Sequence, residues 1–473
     1  MAEQLLSVGI DIGTSTTQFV ISRLTLENRA NPFSVPRVDI AEREVLYRSG
    51  IHFTPLKSDT VIDAEGVRSI VAEEYRASGF RKEEIATGAV IITGETARKE
   101  NAQEVLTALS EFAGDFVVAT AGPDLESILA ARGAGADEYA REHHTEVLNF
   151  DIGGGTSNLA WYSHGELADT GCLDVGGRLV KLDPAGQITY VSPVVEKLAA
   201  RGLISALHTG QRAAPETFAP LLAALTGALE QAAGLRPGRE LLEVLLTEGT
   251  RWNPPKTAPV CSFSGGVADC IYAEPPDWLA YGDIGPLLGR AVRESPAFRG
   301  VRLHRGAETI RATVVGAGSH ATELSGSTIY YRDITFPLKN LPILKLTQAE
   351  EADTAELAGA IREKLRWYDR DGCGPVALGL RGEPSPSYAR IQALARGLSQ
   401  GLEQLRQAGH PLVVAVESDL AKALGQAMAP LTPGPLLCLD SVGVDNGDYI
   451  DIGPPAAGGT VLPVVIKTLV FHQ

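Results

Sequence analysis

The 473-residue chain lacks several features that would have set its class at once. It has no uninterrupted apolar run of 18 or more residues, which excludes an ordinary membrane-spanning helix. Residues 1–8 carry no basic stretch ahead of an apolar core, so no secretory signal is expected. Residues 5–12 read as a strand rather than an amphipathic leader helix. Basic residues are in deficit, with 42 Lys and Arg against 58 Asp and Glu, a formal net charge of −16. Nucleic acid and anionic membrane surfaces both need a basic face, so neither is expected as the main partner. A local basic pocket for phosphate is still compatible with this balance. The five cysteines (Cys172, Cys261, Cys270, Cys373 and Cys438) form no Cys-x-x-Cys pair and no zinc-ligand spacing. They read as buried, reduced thiols, which points to the cytoplasm. The nine histidines show no metal-ligand spacing, and neither a Ser-His-Asp arrangement nor a low-complexity segment is present.

Apolar residues make up 44% of the chain, and its length suggests two to four domains. Strand-like runs at 5–11 and 18–24 flank a tight turn, and 27–57 is polar and proline-punctuated with a weak strand signal at 44–47. Helical periodicity follows at 64–78, 97–112 and 124–132, with strands at 88–93 and 116–120 between. A second strand–glycine turn–strand unit, 146–151 and 158–162, repeats the first about 140 residues later. Such spacing suggests an internally duplicated, two-lobed protein. Helices are expected at 217–233 and 241–247, and short strands at 260–263 and 312–315. Beyond Pro337 and Pro342 a fresh alternation begins: helix 353–367, strand 375–380, helix 388–408, strand 411–416, helix 418–428 and an apolar last strand, 461–471. The expected divisions are 1–146 with an insert near 27–90, 147–335, and a C-terminal α/β module at 336–473.

The first constellation with chemistry is Asp11-Ile12-Gly13-Thr14-Ser15-Thr16-Thr17. Gly13 lets the turn approach a polyphosphate, backbone N–H groups and the hydroxyls of Thr14, Ser15 and Thr16 can donate to phosphate oxygens, and Asp11 would meet the hydration shell of Mg²⁺. Alone, the motif is weak and is more often a polar hairpin turn. The second is Asp151-Ile152-Gly153-Gly154-Gly155-Thr156-Ser157-Asn158. Three successive glycines weaken a strand, and close backbone approach to a ligand explains them better than a turn does. Two such loops can face each other and grip one triphosphate, with Asp11 and Asp151 both holding Mg²⁺ through water.

Between the loops, Glu126 opens a helix that runs through small residues to Gly133 and Gly135, as an interlobe crossing requires. This stretch resembles the first connecting segment of actin-like ATPases, which implies that Glu126 orients the attacking water. Asp174-Val175-Gly176-Gly177-Arg178 resembles the Gly-Gly turn after the second phosphate loop of heat-shock chaperone ATPases, which implies phosphate contacts for Gly176 and Gly177. Thr313-Val314-Val315-Gly316-Ala317-Gly318-Ser319-His320 resembles the adenosine segment, so Gly316, Gly318 and Ser319 are the favoured base contacts. Ser264-Gly265-Gly266-Val267 competes for that role. The fold class these resemblances imply is α/β: a two-lobed, duplicated actin-like (ribonuclease H-like) ATPase core with an additional C-terminal α/β module. ATP or ADP and Mg²⁺ are the implied cofactors. Asn158 stands where the pattern often has an acid, which implies slow hydrolysis.

Longer wording narrows the choice within this fold. Residues 5–18, Ile92-Thr93-Gly94-Glu95-Thr96, 122–135, Phe263-Ser264-Gly265-Gly266-Val267-Ala268-Asp269, Tyr281-Gly282-Asp283-Ile284-Gly285-Pro286 and the tail from Gly458 to Thr468 resemble the ethanolamine ammonia-lyase reactivating factor family, EutA. The resemblance implies a slow Mg²⁺-dependent ATPase that acts as a chaperone. Its partner would be ethanolamine ammonia-lyase, from which it releases damaged cobalamin so that intact adenosylcobalamin can enter. It also implies a cytoplasmic place, with association with an ethanolamine-utilisation microcompartment compatible, and it allows a homodimer. Either the C-terminal module or the insert near 27–57 could face the lyase. A small-molecule kinase and a nucleotide-dependent scaffold are the alternatives that the fold leaves open.

Overall fold

The computed structural model describes residues 3–13, 16–28, 38–58, 61–93, 101, 105, 117–120, 123–320, 323–326, 328–366, 374–444 and 448–468. The expected helix at 97–112 falls almost entirely outside them.

The first sheet is built from β1 (Glu3–Ile12), β2 (Thr16–Asn28), β3 (Val38–Arg48), β4 (Ile85–Ile92) and β5 (Val117–Thr120). Its order is β3-β2-β1-β4-β5, and the short strand His52–Phe53 also pairs with β2. β1, β2 and β3 run antiparallel, whereas β1, β4 and β5 run parallel. Helix α1 (Ala64–Ser78) buries Val67, Val71 and Tyr75 in a core with Val8, Ile10, Phe19 and Val90. β3 is far longer than its sequence signal suggested. Its Val-Asp-Ile-Ala-Glu-Arg-Glu stretch is largely polar, as suits a strand at the sheet edge with little of its surface in the core.

Helix α2 (Pro123–Gly133) leads to the second sheet: β6 (Glu146–Ile152), β7 (Ser157–Ser163), β8 (Glu166–Leu173), β9 (Val260–Ser264) and β10 (Leu303–His304). The order β8-β7-β6-β9-β10 and the strand directions repeat those of the first sheet. The duplication expected from the two hairpins is therefore a duplication of the whole ribonuclease H-like sheet, and the core is actin-like. Helices α3 (Ala219–Ala232) and α4 (Gly285–Glu294) cover this half, whose core includes Phe150, Phe218, Phe263 and Phe298.

Helix α5 (Ala312–His320) corrects the expected strand at 312–315. It packs on β1 and β2 of the first sheet and on α2, while α2 packs on β7 and β8 of the second sheet. The halves thus exchange helices. A Cβ on Gly133 would lie 1.8 Å from the Ala312 carbonyl oxygen, and one on Gly316 would lie 1.9 Å from that of Leu129. Only glycines permit this crossing, and its contacts override the strand preference of Thr313-Val314-Val315.

The third sheet comprises β11 (Glu323–Leu324), β12 (Tyr330–Arg332), β13 (Leu338–Lys345), β14 (Ala377–Leu380), β15 (Leu412–Val416), β16 (Leu436–Asp440), β17 (Asp448–Ile452) and β18 (Pro463–Thr468), in the order β11-β18-β17-β13-β14-β15-β16-β12. Its strands begin ahead of residue 336. Four central strands run parallel, and α6 (Leu357–Leu365), α7 (Tyr388–Gly401) and α8 (Ala421–Met428) share a core on one face. The helix expected over 388–408 breaks at Leu402, and a second short helix spans Glu403–Gln407. Val465 of β18 packs with Ala89, Ile91, Leu129 and Ala317, which seats this module on the first half.

Candidate nucleotide site

Asp11 and Asp151 occupy the same place in the two halves, one residue before the ends of β1 and β6. Each strand then enters a hairpin closed in the same way. The Gly13 N–H donates to the Thr16 carbonyl at 2.9 Å, and the Gly153 N–H donates to the Thr156 carbonyl at 2.9 Å. Antiparallel register sets Asp11 opposite Gln18 and Asp151 opposite Asn158, so each carboxylate shares a sheet face with a buried amide. Thr14 and Ser15 lie outside the described residues. Thr16 opens β2, and the hydroxyl of Thr54 braces the turn by donating to the Gly13 carbonyl at 2.8 Å.

Both carboxylates are buried, with Asp11 8% and Asp151 5% exposed. Each is held by a hydroxyl from the neighbouring parallel strand. Thr93 Oγ1, just beyond β4, donates to Asp11 Oδ1 at 2.8 Å. Ser264 Oγ, the last residue of β9, donates to Asp151 Oδ1 at 2.7 Å and accepts from Asn149 Nδ2 at 3.0 Å. Burial pushes the Asp11 carboxyl up to about 7, the Thr93 bond works against it, and the charge of Asp151 adds to the rise. Burial likewise pushes Asp151 up to about 6, opposed by Ser264. Two buried carboxylates within electrostatic reach of each other make a site that favours a cation. Among the described residues no group of three or more His, Cys, Asp or Glu could hold a metal ion. Two carboxylates fit Mg²⁺, which keeps water and takes phosphate oxygens as further ligands.

The glycine triplet also fits a phosphate. A Cβ on Gly155 would meet nothing within 4 Å, and one on Gly153 would meet only the Thr156 carbonyl oxygen, at 3.5 Å. Packing therefore does not require glycine at either position, and the space above the loop stays open. Beside it the chain zips onto the loop: the Gly177 N–H donates to the Gly153 carbonyl at 3.0 Å and the Arg178 N–H to the Gly154 carbonyl at 2.6 Å. Gly176 is needed there, because a Cβ would lie 2.3 Å from the Gly154 carbonyl oxygen. Glu126 stands half-buried near the start of α2, whose Ser127 reaches the Gly171 carbonyl of β8.

Gly316, Gly318 and Ser319 lie elsewhere. They belong to α5: Gly316 presses on Leu129, Gly318 on the backbone of Gly9, and the Ser319 hydroxyl on that of Ser22. The strand–turn expected there is replaced by a helix whose glycines are occupied by helix and strand backbone. The competing segment, Ser264-Gly265-Gly266-Val267, borders the second loop. Gly265 has φ +83°, its N–H donates to the Thr309 carbonyl at 3.0 Å, and the Val267 N–H donates to the Ile152 carbonyl at 3.1 Å. Sequence reasoning missed Thr93 and Ser264 as carboxylate holders and Arg178 as the cation at the loop. Aligning the ends of the two parallel strands, 88–93 and 260–264, would have exposed the first pair.

Residues 3–472 match the family model described as ethanolamine utilisation protein EutA. The chain belongs to the EutA family. It is 40% identical over 479 residues to the ethanolamine ammonia-lyase reactivase EutA of Salmonella typhimurium, covering 99% of both chains. With the reactivase of the same name in Escherichia coli it shares 39% over 478 residues, again covering 99% of each. Among solved structures, a Ppx/GppA family member from Aquifex aeolicus overlays with a TM-score of 0.36 at 16% identity, covering 67% of this chain and 88% of that one. The ethanolamine utilization protein EutJ from Carboxydothermus hydrogenoformans gives 0.31 at 17%, covering 66% and 89%. Strand order and direction in the two sheets, rather than these overlays, define the actin-like core of this EutA family member. Among the described residues no helix is long and apolar enough to cross a membrane.

Proposed function

We propose that this chain reactivates ethanolamine ammonia-lyase by coupling ATP binding and slow hydrolysis to release of damaged cobalamin, which lets intact adenosylcobalamin enter. The observation that carries the nucleotide part is the pair of hydroxyl-held carboxylates, Asp11 and Asp151, beneath equivalent loops of a duplicated fold. Asp11 and Asp151 hold Mg²⁺ through water. Thr14, Ser15 and Thr16 in one half, and Gly154, Gly155 and Thr156 in the other, donate to phosphates, while Gly13, Gly153, Gly176 and Gly177 shape the two loops that receive them. Gly265 and Gly266 take the adenosine side in place of Gly316 and Gly318. Glu126 orients the attacking water. When bound, Mg²⁺ supplies charge neutralisation of the phosphates. Asn158, an amide beside Asp151, supplies no general base, which suits a timer more than a fast hydrolase.

Nucleotide can work on the lyase only through a difference in partner affinity between the triphosphate and diphosphate states. About 5.5 kcal/mol of difference switches occupancy almost completely. The curated relatives' name supports the lyase as partner. The test mixes the chain with lyase inactivated by cyanocobalamin, ATP, Mg²⁺ and adenosylcobalamin and follows recovered deamination. Recovery that disappears in Asp11→Ala, with its circular dichroism unchanged, supports the proposal. Full recovery by Asp11→Ala, or none by the wild type, sinks it.

A further inference from the structure

Arg178 sits against the second loop. Its backbone N–H is tied to the Gly154 carbonyl, and its side-chain carbons lie 3.4–3.6 Å from where a Gly154 Cβ would stand. The aliphatic stem of Arg178 therefore runs beside the glycine triplet, which leaves its guanidinium a side chain's swing from the loop. Its ion pair with Asp283 runs through Nε at 3.2 Å, and its side chain is 31% exposed. Asp283 is buried and has partners besides Arg178. Its Oδ1 accepts the Gly285 N–H at 2.8 Å at the start of α4, and the charge of Lys181 acts on it as well. The loops already hold two carboxylates, so a triphosphate arriving there raises the negative charge further and draws a nearby cation.

We propose that Arg178 is an exchange ligand for the terminal phosphate of a nucleoside triphosphate, leaving Asp283 when that phosphate lies over Gly153–Gly155 and returning to it when only a diphosphate is bound. The inference rests on the nucleotide reading above and adds to it the residue that tells the two nucleotides apart. Asp283 stands at a corner where the Leu182 N–H donates to the Gly282 carbonyl at 2.8 Å and where Tyr281 is 57% exposed. Exchange loosens one tie of that corner to the loop, so the surface around Tyr281 changes with the bound nucleotide.

The test is equilibrium titration of the full chain, in Mg²⁺, with mant-labelled ADP and a mant-labelled non-hydrolysable ATP analogue. Arg178→Gln loses about tenfold or more in triphosphate affinity, the scale of one charge-assisted hydrogen bond, and stays within about twofold for ADP. Arg178→Lys falls between, because it keeps the charge and loses the fork. Asp283→Asn keeps an acceptor for Gly285, drops the charge that holds Arg178, and binds the triphosphate more tightly than wild type. Should Arg178→Gln melt below the assay temperature, the other two variants decide. Equal losses for both nucleotides, or an unaltered triphosphate affinity in every variant, overturn the exchange and leave nucleotide binding intact. Wild type that binds neither nucleotide overturns both readings.

Discussion

Asp11 and Asp151 each spend their best hydrogen bond on a hydroxyl, not on a cation of the chain. A hydroxyl orients a carboxylate without cancelling its charge, so burial outweighs the opposing hydrogen bond at both carboxylates, and at Asp11 the charge of Asp151 adds to the rise. That arrangement costs stability and leaves a charge that a bound cation would neutralise. Asp151→Asn should therefore raise stability in EDTA at neutral pH by about 1–3 kcal/mol, the order of one to two units of pKa displacement. The same change should abolish Mg²⁺-dependent nucleotide binding. Melting curves paired with titration check both halves, and a destabilised variant would show that the pair is not under electrostatic strain. The Asp-Gly pattern named these carboxylates from the sequence alone, because ligand chemistry limits which residue types can serve. Thr93 and Ser264 were not legible. A hydroxyl after an apolar strand is common, and only sheet register shows which carboxylate it meets.

The crossing of α2 and α5 decides how the two halves meet. Gly133 and Gly316 each place bare backbone against a carbonyl of the other helix, at distances that no side chain tolerates. Gly133→Ala should destabilise the chain by about 3 kcal/mol or more, because the obstacle is backbone and cannot rotate away. Urea unfolding measures this, and a change under about 0.5 kcal/mol would mean that the helices can part without cost. The same contact explains the failed strand at 312–315. Thr313, Val314 and Val315 are β-branched and favour strands locally. Their helical state is imposed by a partner almost 190 residues away in sequence, which no window of local periodicity contains. The hairpins, by contrast, were legible, since a strand, a glycine turn and a second strand are all written within about 18 residues.

At the scale of the molecule, the third sheet leans on the first half through Val465, against Ala89, Ile91, Leu129 and Ala317. Leu26 and Val38 meet Ala456 and Val461 in a second apolar contact. The module thereby touches both the α2–α5 crossing and β4, whose Ile91 pairs with Asp11 of the candidate site. Val465→Asp would bury an unpaired charge in that contact at a cost of about 3 kcal/mol. Limited proteolysis should then release the module under conditions where the wild-type chain stays whole. If the variant resists cleavage as wild type does, the seat is not what joins the parts.

The sequence by itself determined the family and named the candidate site: wording specific to EutA runs along nearly the whole chain, and few residue types suit a phosphate loop. It also determined that the core is duplicated, because each hairpin is local. Tertiary structure alone decided which glycines face open space and which face backbone. By that criterion Gly153 and Gly155 line an open cradle, whereas Gly316 and Gly318 are spent on packing and Gly265 moves to the loop's edge. Glycine is written the same way for either purpose. The difference lies in what stands opposite the missing side chain, and that is set by distant parts of the chain.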